Sequence, residues 1–162
     1  MRWATPDLLW PTSGSAEGET ELNAFDNALL AAGIGNLNLI KVSSVVPAGA
    51  ELLHERPAIE PGALVPCVYT TADSSRPGDV LASAVGIGLR GSGHGMIFEA
   101  HLESRDLSLE AARAHVEAAV RRMVSEAFAR RSMQLDEVIV RSAAHRVERV
   151  GCAVAAVLLW WR

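Results

Sequence analysis

Two segments of the chain carry apolar residues at helical spacing. In residues 20–32 they recur every three or four positions, which predicts an amphipathic helix with Thr20 as its N-cap. Asp26 lies at the edge of the predicted buried stripe. That stripe consists of Leu22, Phe25, Leu29 and Ala32. A second, longer helix is predicted over residues 109–131, with Ser108 as N-cap and Met123 on its apolar face.

Alternating or continuous apolar runs predict strands elsewhere. These strands cover residues 36–46, 63–71, 80–89, 96–102, 138–143 and 152–160. The last is almost wholly apolar, which predicts a central position with both faces covered. Residues 1–18 carry prolines and glycines among polar residues, which predicts an extended segment with a short strand at most.

The glycine-rich run GSGHG at residues 91–95 lies between two predicted strands. Its glycines resemble those of a phosphate-binding loop, but it precedes a strand and lacks the Lys-Ser/Thr ending. A hairpin turn is therefore the favoured interpretation. Because strands outnumber the two isolated helices, the predicted class is α+β, with antiparallel or mixed sheets faced by helices.

Length and composition favour one domain over residues 1–162. Of the 162 residues, 49% are apolar and 21% charged, which is enough for a substantial core. The net charge of −4, with both signs interspersed, predicts no nucleic-acid partner. The longest uncharged apolar run, residues 150–161, is too short for a bilayer helix of about 20 residues. Together with an N-terminus that lacks signal-peptide features, this predicts a cytoplasmic protein without a membrane partner.

Cysteine and histidine spacing gives no support to a metal site. Cys67 and Cys152 lie in apolar contexts, without a CxxC motif or paired histidines, and are predicted to be buried thiols. His115 falls within the long predicted helix, where a surface position is the simplest interpretation.

The adjacent serines Ser43 and Ser44 are unusual in a strand. In the ordinary interpretation they form hydrogen bonds at a strand end before Pro47. In a chemical interpretation, the Ser44 hydroxyl attacks the carbonyl carbon of Ser43, converts the amide into an ester, and elimination then breaks the chain. A hydroxyl is a weak nucleophile, so this attack needs a constrained backbone and a donor to the developing oxyanion. The side-chain amide of Asn38 is a candidate donor.

Four runs of the sequence resemble the pyruvoyl-dependent arginine decarboxylases. They are GSAEGETELNAFDNALLAAGIGNLNLIKVSSVVPAGAEL (14–52), GALVPCVY (62–69), GMIFE (95–99) and ERVGCAVAAVLLWW (148–161). The resemblance weakens in the N-terminal segment, at residues 72–79 and between residues 99 and 108, where this chain carries a longer connection. Because the longest run includes the serine pair, it favours the chemical interpretation.

This resemblance implies a fold, a cofactor and an activity. The fold would be a four-layer αββα sandwich, assembled into a homotrimer or a higher oligomer with active sites between neighbouring subunits. The zymogen would cleave itself between Ser43 and Ser44 into chains of residues 1–43 and 44–162. Ser44 would become a covalent pyruvoyl group, without PLP or a metal. This carboxy-lyase would decarboxylate L-arginine to agmatine and CO2 through a Schiff base, for polyamine synthesis or acid resistance.

The resemblance also assigns roles to site residues. Glu99 would be the general acid, and it ends an apolar strand segment, although a surface glutamate is the ordinary alternative. Asp26 would bind the substrate guanidinium and Leu22 would line the same pocket; the alternative for Asp26 is a solvated residue or a salt bridge.

Two further residues have open roles. Lys41, the only lysine, would pair with a carboxylate or contact a substrate carboxyl group. His101 departs from the family pattern and would either reshape the pocket or lengthen a surface turn.

Two other functions are also compatible with the sequence: the same chemistry on another cationic amino acid, and an unprocessed, non-catalytic trimeric homologue.

Overall fold

A computed structural model describes residues 4–162 of the protein. Residues 1–3, which belong to the predicted N-terminal segment and domain, lie outside the described residues. The described chain contains nine strands and two helices. In order they are β1 (Leu8–Glu17), α1 (Glu21–Ala31), β2 (Asn38–Lys41), β3 (Val45–Val46), β4 (Glu51–Leu52), β5 (Leu64–Ser74), β6 (Val80–Leu89), β7 (Gly95–Ser104), α2 (Leu109–Arg130), β8 (Glu137–Arg146) and β9 (Gly151–Trp160).

The strands form two stacked sheets. The first sheet has the order β2-β5-β9-β1-β4 and is mixed, because β2–β5 and β1–β4 are parallel pairs. The second sheet, β3-β7-β6-β8, is antiparallel. Helix α1 packs on β1 and β9 of the first sheet, and α2 packs on β6, β7 and β8 of the second. The predicted αββα sandwich is therefore confirmed.

Strand β9 lies at the centre of the first sheet, as predicted. It pairs with β5 on one side and β1 on the other, so its backbone groups have partners on both sides from Gly151 to Leu158. Its two faces are buried in different cores, which accounts for its nearly continuous apolar sequence. Cys152, Val154, Ala156 and Leu158 pack toward α1, whereas Ala153, Ala155, Val157 and Leu159 pack toward the second sheet.

Strand β1 is longer than the sequence predicted. All ten residues of Leu8–Glu17 pair with β9 in antiparallel register, although the segment contains a proline and a glycine. Pro11 is tolerated because β4 pairs with β1 only at Leu8 and Leu9, so beyond them that side of β1 has no ladder that needs an N–H. At Gly14 a Cβ would lie 2.5 Å from the Ala32 nitrogen. The glycine therefore allows α1 to pack closely on β1 rather than ending the strand.

The buried face of α1 differs from the predicted stripe at one position. Thr20 caps the helix as predicted, and Leu29 and Ala32 are buried. Leu22 is 74% exposed, so its predicted burial is wrong. The close approach of α1 to Gly14 of β1, and to Gly18 just after it, requires small side chains, and Ala24 and Ala28 occupy the contact instead.

The buried face of α2 also differs from the predicted one at a single position. Ser108 caps it as predicted. Met123 is exposed, and Val124 takes the buried position beside Gly88, where a Cβ would lie 2.5 Å from the Val124 side chain. His115 is exposed, as predicted.

The predicted strand over residues 36–46 divides into two strands of different sheets. Its first part is β2 at the edge of the first sheet, and its last part is β3 at the edge of the second. Residues 42–44 between them have no regular structure. The chain therefore crosses from one sheet to the other at the serine pair.

Two of the segments where the family resemblance weakens, residues 72–79 and 99–108, lie against each other. Strand β7 continues to Ser104, so the connection to α2 is short. In that connection, Arg105 Nε lies 2.9 Å from Oδ1 of the buried Asp79. The Ser74 hydroxyl, with Arg76 and Arg105, holds the pKa of Asp79 below its usual value. This cluster fixes the β5–β6 turn to the end of β7.

The two cysteines are buried and unbridged, as predicted. Burial raises the pKa of both thiols to about 12, so they remain protonated near neutral pH. Among residues 4–162, neither helix is long and apolar enough to cross a membrane.

Glu17 fastens the end of β1 to the β8–β9 turn. Its carboxylate accepts hydrogen bonds from the backbone N–H groups of Glu148, Arg149 and Val150 and lies 2.6 Å from His145 Nε2. Burial raises its pKa, but the hydrogen bonds from Glu148, His145, Arg149 and Val150 outweigh that effect and bring the pKa from 4.5 to about 2.

Replacing the Glu17 carboxylate should make the free energy of unfolding depend less on pH in the acid range. Because the folded-state pKa of Glu17 is lowered, its contribution is complete above about pH 4.5 and is lost as the pH falls toward 2. We expect Glu17→Gln to lower the free energy of unfolding by about 1–2 kcal/mol at pH 7, after allowance for solvent screening. Denaturant unfolding across pH 2–7 measures the difference, and Glu19→Gln is the matched control. A wild-type advantage that stays constant to pH 2 would contradict the prediction.

Candidate active site

The serine pair lies where the chain passes between the two sheets. Ser43 is exposed and Ser44 is half-buried. The Ile97 N–H of β7 donates a hydrogen bond of 2.7 Å to the Ser44 carbonyl oxygen, one step beyond the β3–β7 pair Val45↔Met96. The residue after the predicted scissile bond is thus attached to the second sheet, while the bond itself lies outside any ladder.

Glu99 lies on the same strand as this hydrogen-bond donor. It follows Ile97 by two residues, so both side chains point to the same face of β7, and Ile97 packs in the core between the sheets. The Glu99 side chain is 30% exposed at the open edge of that interface. Its Oε1 atom lies 3.8 Å from Lys41 Nζ. The structure therefore brings the serine pair, Glu99 and Lys41 to one edge of the sandwich, where β5 lies against β7.

Both sheets are open at this edge. In the described chain, β2 covers β5 only as far as Cys67, and β3 covers β7 only at Gly95 and Met96. Beyond Cys67 in β5 and Ile97 in β7, no further strand pairs with this side of either strand in the described chain. His101 lies within β7 and its Nδ1 is 2.9 Å from Thr70 Oγ1, so the interpretation of His101 as part of a lengthened surface turn is wrong. Its influence on a pocket stays a prediction.

A mostly apolar groove of about 300 Å³ adjoins Ser43. Its walls include Val42, Val45, Pro66 and Trp161. The predicted scissile bond therefore borders a surface that is poor in hydrogen-bond partners other than the backbone.

Three predicted site residues lie elsewhere in the single chain. Asn38 is at the start of β2, and its Nδ2 donates a hydrogen bond of 2.7 Å to the Gly62 carbonyl rather than to Ser43. Asp26 and Leu22 lie on the exposed face of α1, and α1 covers the outer face of the first sheet. Glu99 lies on the other side of the first sheet, at the edge of the interface between the two sheets. Asp26 and Glu99 of one chain are therefore not close together. The roles of these three residues stay predictions.

Comparison with known proteins identifies the family. A family model described as pyruvoyl-dependent arginine decarboxylase (PvlArgDC) matches residues 9–161. The chain is 43% identical over 163 residues to the pyruvoyl-dependent arginine decarboxylase of Pyrococcus furiosus, with 99% of each chain covered. The chain belongs to the pyruvoyl-dependent arginine decarboxylase family.

Other members of the family give the same result. The chain is 44% identical over 147 residues to the Methanothermobacter thermautotrophicus member, which covers 91% of this chain and 92% of the relative. It is 40% identical over 159 residues to the Methanocaldococcus jannaschii member, with 97% and 92% covered. The resemblance noted in the sequence is thus confirmed over nearly the full length.

Membership in the pyruvoyl-dependent arginine decarboxylase family implies a covalent pyruvoyl group, and the structure around Ser44 fits one. The group would form from Ser44 itself, so it needs no separate binding pocket. Because the Ser44 carbonyl is held by Ile97, residue 44 would keep its position after its bond to Ser43 is cut. Within residues 4–162, no group of three or more His, Cys, Asp or Glu side chains is arranged to hold a metal ion.

The sequence did not reveal two parts of this site. Nothing in residue type marks the Ile97 N–H as a donor, because register alone sets it opposite Ser44. The ring of Tyr69, whose centroid is 5.1 Å from Lys41 Nζ, was also missed. The only sequence signal for this contact was the alternating pattern of β5 together with the presence of a single lysine.

Removing the Ser44 hydroxyl should block cleavage without altering the fold. In Ser44→Ala the backbone hydrogen bond from Ile97 is retained, so we expect an unfolding free energy within about 0.5 kcal/mol of the unprocessed wild type. Denaturing mass spectrometry should find only the intact chain. Ser43→Ala is the matched control and should still cleave, because Ser43 contributes its carbonyl and not its hydroxyl. Cleavage of Ser44→Ala at the same bond would contradict the assignment.

Proposed function

We propose that this chain cleaves itself between Ser43 and Ser44 and then decarboxylates L-arginine to agmatine and CO2. Its family is one of decarboxylases, which are carboxy-lyases. The observation that carries the proposal is the hydrogen bond from Ile97 to Ser44, because it joins the scissile segment to the strand that carries Glu99. The runner-up substrate is another cationic amino acid.

Self-cleavage uses the two serines in different ways. The Ser44 Oγ attacks the carbonyl carbon of Ser43, the C–N bond breaks, and the Ser43 acyl group moves to Oγ as an ester. Loss of the Ser44 Cα proton then breaks the Cβ–Oγ bond and releases the Ser43 carboxylate. Water hydrolyses the remaining terminal enamine, through its imine form, to the ketone and ammonia. Ser43 is exposed and lies in a segment without regular structure, so its carbonyl belongs to no strand ladder that would hold it away from this attack.

In decarboxylation, the pyruvoyl group and the side chains and backbone of the protein have different roles. The pyruvoyl group supplies a carbonyl that binds the substrate amine covalently and accepts the electron pair left when CO2 departs. The Ile97 N–H stabilises negative charge on the Ser44 carbonyl oxygen, to which it already donates a hydrogen bond. Glu99 delivers a proton to the substrate Cα after CO2 has left.

A homotrimer with sites between subunits supplies the missing substrate contact. Asp26 lies between Leu22 and Leu30 along one exposed face of α1, at positions one helical turn apart, and both leucines are at least half exposed. Such a face and the open β5–β7 edge are surfaces that a neighbouring copy would cover. We infer that Asp26 of one subunit completes the site built around Ser44 and Glu99 of the next.

The proposed function is tested by mass spectrometry and product analysis together. Purified protein should consist of two chains, residues 1–43 and 44–162, and should convert L-arginine to agmatine. L-Lysine, L-ornithine and the neutral isostere L-citrulline distinguish the cationic alternatives. A single intact chain after long incubation, with no product from any of them, would favour the non-catalytic trimer.

Glu99→Gln should separate processing from turnover. The amide cannot donate a proton as a carboxylic acid does, so we expect kcat to fall at least 100-fold while some self-cleavage persists. Stopped assays normalised to the processed fraction measure this. Glu103→Gln, on the same face of β7, is the matched control and should retain turnover. Full turnover by Glu99→Gln would place the proton donor elsewhere.

Asp26→Asn should affect substrate binding rather than cleavage. Loss of a charge-assisted pair with a guanidinium corresponds to roughly a 10- to 100-fold rise in KM for arginine. Glu21→Gln removes the same charge from the same helix and should leave KM unchanged. Equal loss of self-cleavage and activity in Asp26→Asn would count against a binding role.

A further inference from the structure

Lys41 connects the two strands that carry the proposed chemistry. It is the last residue of β2, three positions before Ser44, and it is the only lysine of the chain. Its Nζ lies 3.8 Å from Glu99 Oε1 and 5.1 Å from the centroid of the Tyr69 ring. The ion pair therefore joins the edge strand of the first sheet to β7 of the second.

We propose that Lys41 is a positioning residue that acts through Glu99, holding its carboxyl group beside Ser44. The inference rests on the proposed function, since it assumes that Glu99 is the proton donor. A half-exposed glutamate without a partner samples several rotamers. An ammonium group held against an aromatic ring restricts that sampling and places positive charge beside the carboxyl group.

Few other titratable groups face this pair. From β5 come the Tyr69 hydroxyl and the buried Cys67, whose thiol burial keeps protonated, with a pKa of about 12. From β7 comes His101, two residues from Glu99 and hydrogen-bonded to Thr70. Strand β3 contributes only valines. Among residues 4–162, Lys41 is the one cation within salt-bridge distance of Glu99.

Self-cleavage gives the contact between Lys41 and Glu99 a second role. Lys41 then belongs to the chain of residues 1–43, two residues from its new C-terminus, and Glu99 belongs to the other chain. The contact therefore becomes an attachment between the two products. It holds the cut end of β2 near the residue that carries the new group.

The presence of a single lysine allows a direct test that needs no processed enzyme. Lysine labelled with 13C and 15N, incorporated into unprocessed Ser44→Ala protein, gives one side-chain resonance set. We expect its Cε and Nζ shifts at pH 7 to differ from those of Ser44→Ala/Glu99→Gln, because that variant removes the carboxylate beside the ammonium group. Identical shifts in the two proteins would overturn the proposal.

The second test compares Lys41→Met with Lys41→Arg in processed enzyme. A proton donor that is less well positioned slows the chemical step more than it weakens substrate binding. Without the ammonium group, kcat should fall about 5- to 10-fold while KM for arginine changes little, whereas Lys41→Arg should keep kcat near the wild-type value. An unchanged kcat in Lys41→Met would overturn the proposal, as would an equal loss in both variants.

These tests separate the inference from the proposed function. Self-cleavage of each variant is measured first by mass spectrometry, and rates are normalised to the processed fraction. A wild-type protein that makes no agmatine would defeat the proposed function. The resonance comparison would still decide whether Lys41 and Glu99 are in contact.

Discussion

The hydrogen bond from the Ile97 N–H to the Ser44 carbonyl is the contact on which the arrangement of the site depends. It fixes the first residue after the crossing between sheets to β7, and through the alternation of that strand it determines where Glu99 points. A backbone hydrogen bond of 2.7 Å is insensitive to side-chain changes at either residue. The register of the two-residue strand β3 on β7 therefore sets where Ser44 and Glu99 lie relative to each other.

This arrangement places irregular backbone between two rigid layers. The sheets are held by long antiparallel ladders, and the glycines that face the helices allow close packing on both outer surfaces. The crossing at residues 42–44 has no such ladder. A reactive segment supported at both ends by rigid strands has a defined position and still leaves its amide bond accessible, which preorganised chemistry requires.

Charged side chains and unpaired strand backbone lie together at the open edge of the sandwich. Lys41, Glu99 and His101 line it, and unpaired backbone of β5 and β7 runs beside them. Asp26 lies on a different surface, between exposed leucines. A single chain thus carries Asp26 and the Ser44–Glu99 edge on separate faces, and the proposed function needs more than one copy to bring them together.

Local sequence determined most of the secondary structure and the chemical identity of the site. The caps at Thr20 and Ser108, the central apolar strand, the GSGHG turn and the serine pair all follow from residue type and short-range pattern. The exposure of Leu22, the full length of β1 and the division of the predicted strand at residues 42–44 followed from tertiary contacts. Close packing of a helix on glycines selects the smallest side chains, and pairing with β9 outweighs the local effect of Pro11. Likewise only the stacking of two sheets brings Lys41 to Glu99, because residues so distant in sequence share no local pattern.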